Sequence, residues 1–181
     1  MKLPEFEGYP DGARVWIFGA ERGLKDHETE LLLASVDDFL DSWKAHGLPL
    51  RAARAWRYDR FLIICADTAT ELPSGCSIDA LTNVFREMEA RLDARFLGNE
   101  AVWYRDVAGR IRRATRPEFR ALAVRGEVTP ESAVFDNSLT VLQQLRGGRW
   151  EGPATERWHA ALFGPPSARA GNPRSARAAA K

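Results

Sequence analysis

The string Ser74-Gly75-Cys76-Ser77-Ile78-Asp79 holds the residue types in this chain best suited to chemistry. It follows an apolar run and precedes an amphipathic one, so it is expected where a strand-to-helix loop meets a helix amino terminus. Free backbone N–H groups and the positive end of the helix dipole would face whatever fills that loop, which suits an anion. The same field would lower the pKa of Cys76 and favour the nucleophilic thiolate. Asp79 in the first turn competes for that field, and Ser77 with Asp79 also reads as an ordinary helix cap. Cys76 and Asp79 are therefore the candidate catalytic residues, and Ser74, Gly75 and Ser77 the candidate ligand-binding residues of the loop. Arg22 beside Gly23, with Arg57 and Arg60 at a hairpin, would add a small anion patch, weighed against the plainer reading of solvated surface arginines.

A thiol enzyme also needs a base close in space, and none of the 3 histidines is near Cys76 in sequence. His46 precedes Gly47 at an expected helix carboxyl terminus, where the dipole favours an imidazolium. His27 and His159 read as surface or cap residues. Cys65 and Cys76 form no C-x-x-C pair and have no histidine at ligand spacing, so neither a zinc site nor any cofactor is expected. No G-x-x-x-x-G-K-[ST] loop and no G-x-G-x-x-G after a strand occurs, and Gly147-Gly148 follows a helix instead of opening one.

The elements that would position these residues follow from periodicity. Arg14 to Ala20 (RVWIFGA) is β-branched and aromatic with apolar residues on both faces, as in a central strand. Val15 and Ile17 should face one side and Trp16 and Phe18 the other, with Trp56 and either Trp103 or the flanking Val102 and Tyr104 on the aromatic side. Leu31, Leu32, Phe39 and Trp43 recur at helical spacing, which predicts a helix from Asp26 to His46 stopped by Gly47. Strands are predicted at Leu50 to Tyr58 and Phe61 to Asp67 around a turn at Tyr58-Asp59-Arg60. A second helix starts at Ser77 and buries Leu81, Val84, Phe85, Met88 and Leu92. A hairpin follows at Ala101 to Arg105 and Arg110 to Thr115, then a short helix from Pro117 to about Val124 ended by Gly126. Further helices are predicted near Asn137 to Leu145 and Thr155 to Phe163.

The order predicts an α+β fold: a ferredoxin-like (βαββαβ) antiparallel sheet with an extra hairpin strand, and C-terminal helices packing on or beside the sheet. Residues 1–163 read as one α+β domain. Residues 164–181 lack large apolar side chains and read as a disordered basic tail. Both sheet faces look apolar, so residues 127–163 or a partner should cover the second.

Lys plus Arg (26) nearly balances Asp plus Glu (25), so the net charge of +1 gives no overall field toward nucleic acid or anionic lipid, and any such binding must come from a local patch. The third-strand segment Arg60-Phe61-Leu62-Ile63-Ile64-Cys65 lacks the glycine and paired aromatics of an RNA-recognition module. Nucleic acid is expected only weakly, through Arg169, Arg174, Arg177 and Lys181 of the 164–181 tail. No run reaches the length of a membrane span and the amino terminus has acids and prolines where a signal peptide is apolar, so the reading is cytoplasmic with no membrane contact.

Trp16-Ile17-Phe18 with Arg22, then Phe39, Trp43 and His46-Gly47 with Pro49-Leu50, Tyr58, Arg60-Phe61 and the SGCSID string form a set that resembles a family of uncharacterised bacterial proteins of similar length. The resemblance extends through Val134-Phe135-Asp136-Asn137 to the segment holding Trp158. Some members carry an ABC-transporter ATPase label, which the missing Walker A loop does not support here, and the resemblance implies no catalytic residues.

The sequence thus points to a small-ligand, anion-binding or protein-interaction domain with its site at Ser74 to Asp79, partnered by a small anion or a protein. The rival is a thiol-dependent or anion-processing enzyme using Cys76. A third reading is a component that docks to a larger assembly through its aromatic face or basic tail.

Overall fold

A computed structural model describes residues 3–69 and 75–164, apart from the side chains of Cys76 and Ser77. The predicted tail lies outside these residues beyond Gly164.

The first sheet is built from the most apolar runs. Strand β1 (Arg14–Ala20) is followed by helix α1 (Asp26–Ser42) and a small hairpin of β2 (Lys44–Ala45) and β3 (Leu48–Pro49). Then come β4 (Ala52–Arg57), β5 (Phe61–Ala66), helix α2 (Gly75–Leu92) and the two-residue β6 (Phe96–Leu97). The sheet order is β4-β5-β1-β6, each strand antiparallel to its neighbours. Trp16 pairs with Ile64 and Phe18 with Leu62, so these four share a face. Both helices cover that face, through Leu32, Val36 and Leu40 of α1 and Leu81, Phe85 and Met88 of α2. Trp56 joins it.

The opposite face carries Val15, Ile17, Phe61, Ile63 and Cys65 and is covered by a second sheet. Its strands are β7 (Val102–Arg105), β8 (Ile111–Ala114), β9 (Ala133–Phe135) and β10 (Glu151–Pro153), in the order β10-β9-β7-β8, again antiparallel. Trp103 and Phe135 are paired and point inward with Leu139, Leu142, Leu145 and Trp150. Val102, Tyr104 and Val134 point outward onto Phe119 of helix α3 (Arg116–Val124) and Leu162 of a 3-10 turn. Two sheets, each facing the other and each backed by helical turns, make four layers. Burial of two faces per sheet explains why every side chain of β5 is inaccessible. No helix among the described residues is long and apolar enough to cross a membrane.

Several sequence expectations are corrected. The hairpin at 101–115 adds no strand to the first sheet; it forms half of the second, and Phe96–Leu97 occupies the edge position beside β1. Trp103, Val102 and Tyr104 are therefore absent from the helix-covered aromatic side. Helix α1 ends at Ser42, not His46, because Trp43 turns into the core with extended backbone. His46 and Gly47, at φ 49° and 84°, make the β2–β3 turn instead. The helix expected from Asn137 shrinks to α4 (Leu142–Arg146), since Val15 N–H bonds to Thr140 O and Arg14 bridges Val141, which holds that stretch extended. The last expected helix is a pair of 3-10 turns, Ala154–Glu156 and Trp158–Leu162.

Candidate functional site

Among the described residues, the predicted arginines do not lie beside the start of α2. Ser74 and the side chains of Cys76 and Ser77 lie outside the described residues, Gly75 opens α2, and Asp79 is exposed one turn later. Arg22 lies at the far end of the same helix. It donates both guanidinium edges to Glu28 at 2.8 Å and a third bond to Leu92 O at 2.6 Å. The 18 residues of α2 at about 1.5 Å each separate that point from Gly75 by roughly 27 Å. Glu28 also accepts from Lys25 N–H, and with Arg22 beside it its pKa is held down at about 2. Arg22 thus ties the start of α1 to the end of α2.

Arg57 and Arg60 share the β4–β5 turn, where β5 begins and therefore away from Gly75. Arg57 makes a paired contact with Glu5 at 2.8 Å. Arg60 is half-buried, with its guanidinium 5.9 Å from the Trp103 ring centre and one bond to Glu21 O; burial first, then the charge of Arg112, pulls its pKa down. Cys65 is buried between the sheets, and desolvation pushes its thiol up to about 12, so it is no nucleophile.

Among the described residues, the turn between Arg57 and Arg60 is the one place where two consecutive non-glycine residues have positive φ. Tyr58 and Asp59 both occupy the left-handed region, at φ 57° and 48°, with no glycine to relieve the Cβ clash. Contacts around the turn fix it. Asp59 O accepts from Leu24 N–H, and the Tyr58 hydroxyl donates to Glu151 at 2.7 Å. Arg105 Nε donates to the other oxygen of Glu151 at 2.6 Å while its guanidinium lies over the Tyr58 ring. The Tyr58 ring is stacked near Trp150 at 22° and edge-on to Phe135. Strained turns of this kind persist only where the surroundings over-determine them, and they concentrate at binding sites.

Tyr58, Leu145, Gly148, Trp150 and Glu151 line a cleft of about 310 Å³ at this corner. The first sheet supplies Tyr58 through its turn, and the second supplies Glu151 at the start of β10. Trp150 is oriented from behind: its indole N–H donates to Asn137 Oδ1 at 3.0 Å, and its carbonyl accepts from Asp136 N–H at 2.7 Å. Asp136 in turn accepts from Ser138 N–H and from the Trp158 indole. The arrangement is one half-exposed ring, Tyr58, over the buried Trp150, with a carboxylate at its edge that Tyr58 and Arg105 already bond. It places no nucleophile and base together, and no cluster of three His, Cys, Asp or Glu side chains able to hold a metal occurs among the described residues.

Sequence reading identified Tyr58-Asp59-Arg60 as a turn and missed it as a site. The available signal was an aromatic residue in a tight turn that lacks glycine and asparagine. Glu151 offered no local signal, because its role depends on pairing across the sheets. Asp59→Gly is expected to raise stability by about 1 kcal/mol by relieving the left-handed residue, read as a higher urea midpoint at unchanged slope. A lower midpoint would mean that the Asp59 side chain, and not only its backbone, holds the turn.

No family model, no curated protein and no solved structure matches the chain.

Proposed function

We propose that the protein is a non-catalytic binding domain whose ligand is a small organic cation, held in the cleft between Tyr58, Trp150 and Glu151. The observation that carries this reading is the Tyr58 turn: a half-exposed aromatic side chain kept in strained backbone at the mouth of a concave, aromatic and acid-edged cleft. Aromatic faces attract cations by about 0.5–2 kcal/mol, and an adjacent carboxylate adds charge and direction. Arg105 and the Tyr58 hydroxyl each bond one oxygen of Glu151, and the Arg105 guanidinium already lies over the Tyr58 ring, so a ligand cation would take this carboxylate in competition with Arg105, which does not itself line the cleft. The volume suits a ligand near the lower end of the range for small-molecule sites.

The scaffold of the first sheet fits a ferredoxin-like reading. The element order β1-α1-β4-β5-α2-β6 with strand order β4-β5-β1-β6 supports it, the small β2–β3 hairpin being inserted after α1. In that reading the second sheet takes the face that such units often leave for a ligand or partner, and the ligand site moves to the corner where the two sheets meet.

Benzamidine, a flat aromatic cation, and benzoate, its anionic counterpart of similar shape, test the proposal by titration of tryptophan fluorescence. Benzamidine should bind at about millimolar strength and at least tenfold more tightly than benzoate, and Glu151→Gln should remove that preference. Equal binding of the two probes, or a preference retained in Glu151→Gln, would refute an acid-directed cation site.

A further inference from the structure

The net charge of +1 conceals a separation of charge across the four layers. Helix α1, on one outer layer, carries six carboxylates and no lysine or arginine. Residues 105–125, which form the β7–β8 turn, edge strand β8 and helix α3 on the other side, carry seven arginines, no lysine and only Asp106 and Glu118 as acids.

Four of them, Arg110, Arg112, Arg113 and Arg125, lie along the β8 edge and the end of α3, with Arg112 opposite Tyr104 and Arg113 opposite Trp103 in the ladder. Arg110 and Arg112 both reach Asp106, at 3.0 and 2.9 Å, so one carboxylate serves two cations. Arg112 and Arg125 both act on the Tyr104 phenol, and Arg113 and Arg125 border the same shallow depression of about 410 Å³ with Thr115, Leu122 and the carboxylate of Glu118, Arg125 being paired with Glu127. Arg112 is also the charge that weighs on half-buried Arg60. The side chains of Arg110, Arg112, Arg113 and Arg125 remain 66, 48, 38 and 55 % accessible despite their partners. Arg113 stands 4.0 Å from Glu21, a loose pair that solvent screens. Strand β8 is the last in its sheet, so its outer backbone edge lies along the same surface.

We infer that this β8–α3 edge binds the phosphodiester backbone of a nucleic-acid duplex, without reading its sequence. Arginine forks match phosphate oxygens in pairs, and backbone binding requires clustered cations and little else. A stable protein interface needs a desolvated apolar centre, whereas this surface offers only two separated exposed side chains, Val107 at the turn and Val124 at the end of α3. Tyr104 is buried and no exposed aromatic side chain stands on the surface for bases to stack on, which favours a duplex over a single strand.

The test is fluorescence anisotropy of the full chain with a labelled duplex, as DNA and as RNA of one sequence, at about 50 and 200 mM salt. With four arginines engaged, affinity should fall about 100-fold between the two salt conditions, and DNA and RNA should bind within a few-fold of each other. Arg110→Gln and Arg125→Gln alter exposed side chains, and each should lower the slope of log affinity against log salt by about 1. A full-length variant with Arg169, Arg174, Arg177 and Lys181 all changed to Gln should retain most of the binding. Three outcomes would overturn the inference: an unchanged slope in both single variants that still fold, loss of binding in the 169/174/177/181 variant, or tighter binding of poly-glutamate than of the duplex. The last would assign the surface to an acidic protein.

Discussion

Gly19→Ala is expected to lower the unfolding free energy by about 3 kcal/mol, at the upper end of the usual range for overpacked interiors. A methyl group on residue 19 would lie 2.5, 2.7 and 3.0 Å from three carbons of the Trp103 indole, far inside van der Waals contact. Neither partner has room to move. Gly19 is paired to Phe61 on one side and Leu97 on the other, so shifting its backbone breaks both ladders. Trp103 is fully buried and meets the Phe61 ring edge-on at 5.2 Å. Equilibrium urea unfolding gives the size of the effect. Trp103→Phe in the Gly19→Ala background should recover part of the loss, because the smaller ring frees the volume that the methyl group needs. A loss below about 0.5 kcal/mol in the single variant would mean that the sheets do not meet as closely as described.

Acidification should cost the fold about 3 kcal/mol through His159 alone. Its ring is fully buried in the layer outside the second sheet, stacked on Trp158 at 3.9 Å, and neither nitrogen has a hydrogen-bond partner among the described residues. Desolvation pulls its pKa down to about 4; nearby Asp136 works against the shift, while Arg116 and Arg157 add to it. In the unfolded chain the imidazole titrates near 6.5. Between these values the unfolded state binds a proton that the native state refuses, so stability falls as pH drops from about 6.5 to 4 and is insensitive to this group above and below. At about 1.4 kcal/mol per pH unit, the fall from 6.5 to about 4 corresponds to roughly 3 to 4 kcal/mol. Carboxylates such as part-buried Glu28 and exposed Glu118, both held below the usual range, also titrate on the acid side, so the group is isolated by difference. Urea midpoints of the parent and of His159→Leu should draw apart from pH 7 to pH 4.5 in favour of the variant. Parallel pH curves would show that the imidazole is protonated, or solvated, in the native state.

Local chemistry made half of this architecture readable in the sequence. Alternation in β1 separated Val15 and Ile17 from Trp16 and Phe18, and the structure sends them to opposite layers as that pattern requires. Pro117 at a helix start announced a short helix to about Val124, and α3 spans Arg116–Val124 with Pro117 in its first turn. Of the second sheet only the β7–β8 hairpin was legible, and neither its partners β9 and β10 nor the existence of a separate sheet was. Its strands are three or four residues long, β10 is Glu-Gly-Pro, and β7 pairs with a segment some thirty residues away, so no local period marks them. The two-residue β6 carries no pattern at all, which left the hairpin at 101–115 as the apparent fourth strand. The proposed cleft was hidden for the same reason. Cys76 and its neighbours are conspicuous because they are adjacent in sequence, whereas Tyr58, Arg105, Trp150 and Glu151 become neighbours only when two sheets close on one another.

Closure of the two sheets around the Trp103 indole is what creates the corner holding the cleft, and amide hydrogen exchange of the parent and Gly19→Ala tests it most directly. Slow amides of β5 in one sheet and β9 in the other should lose protection together, by the same roughly 3 kcal/mol, because one shared interior opens as a unit. Loss confined to β5, with β9 as protected as in the parent, would contradict a common interior and with it a site built by both sheets.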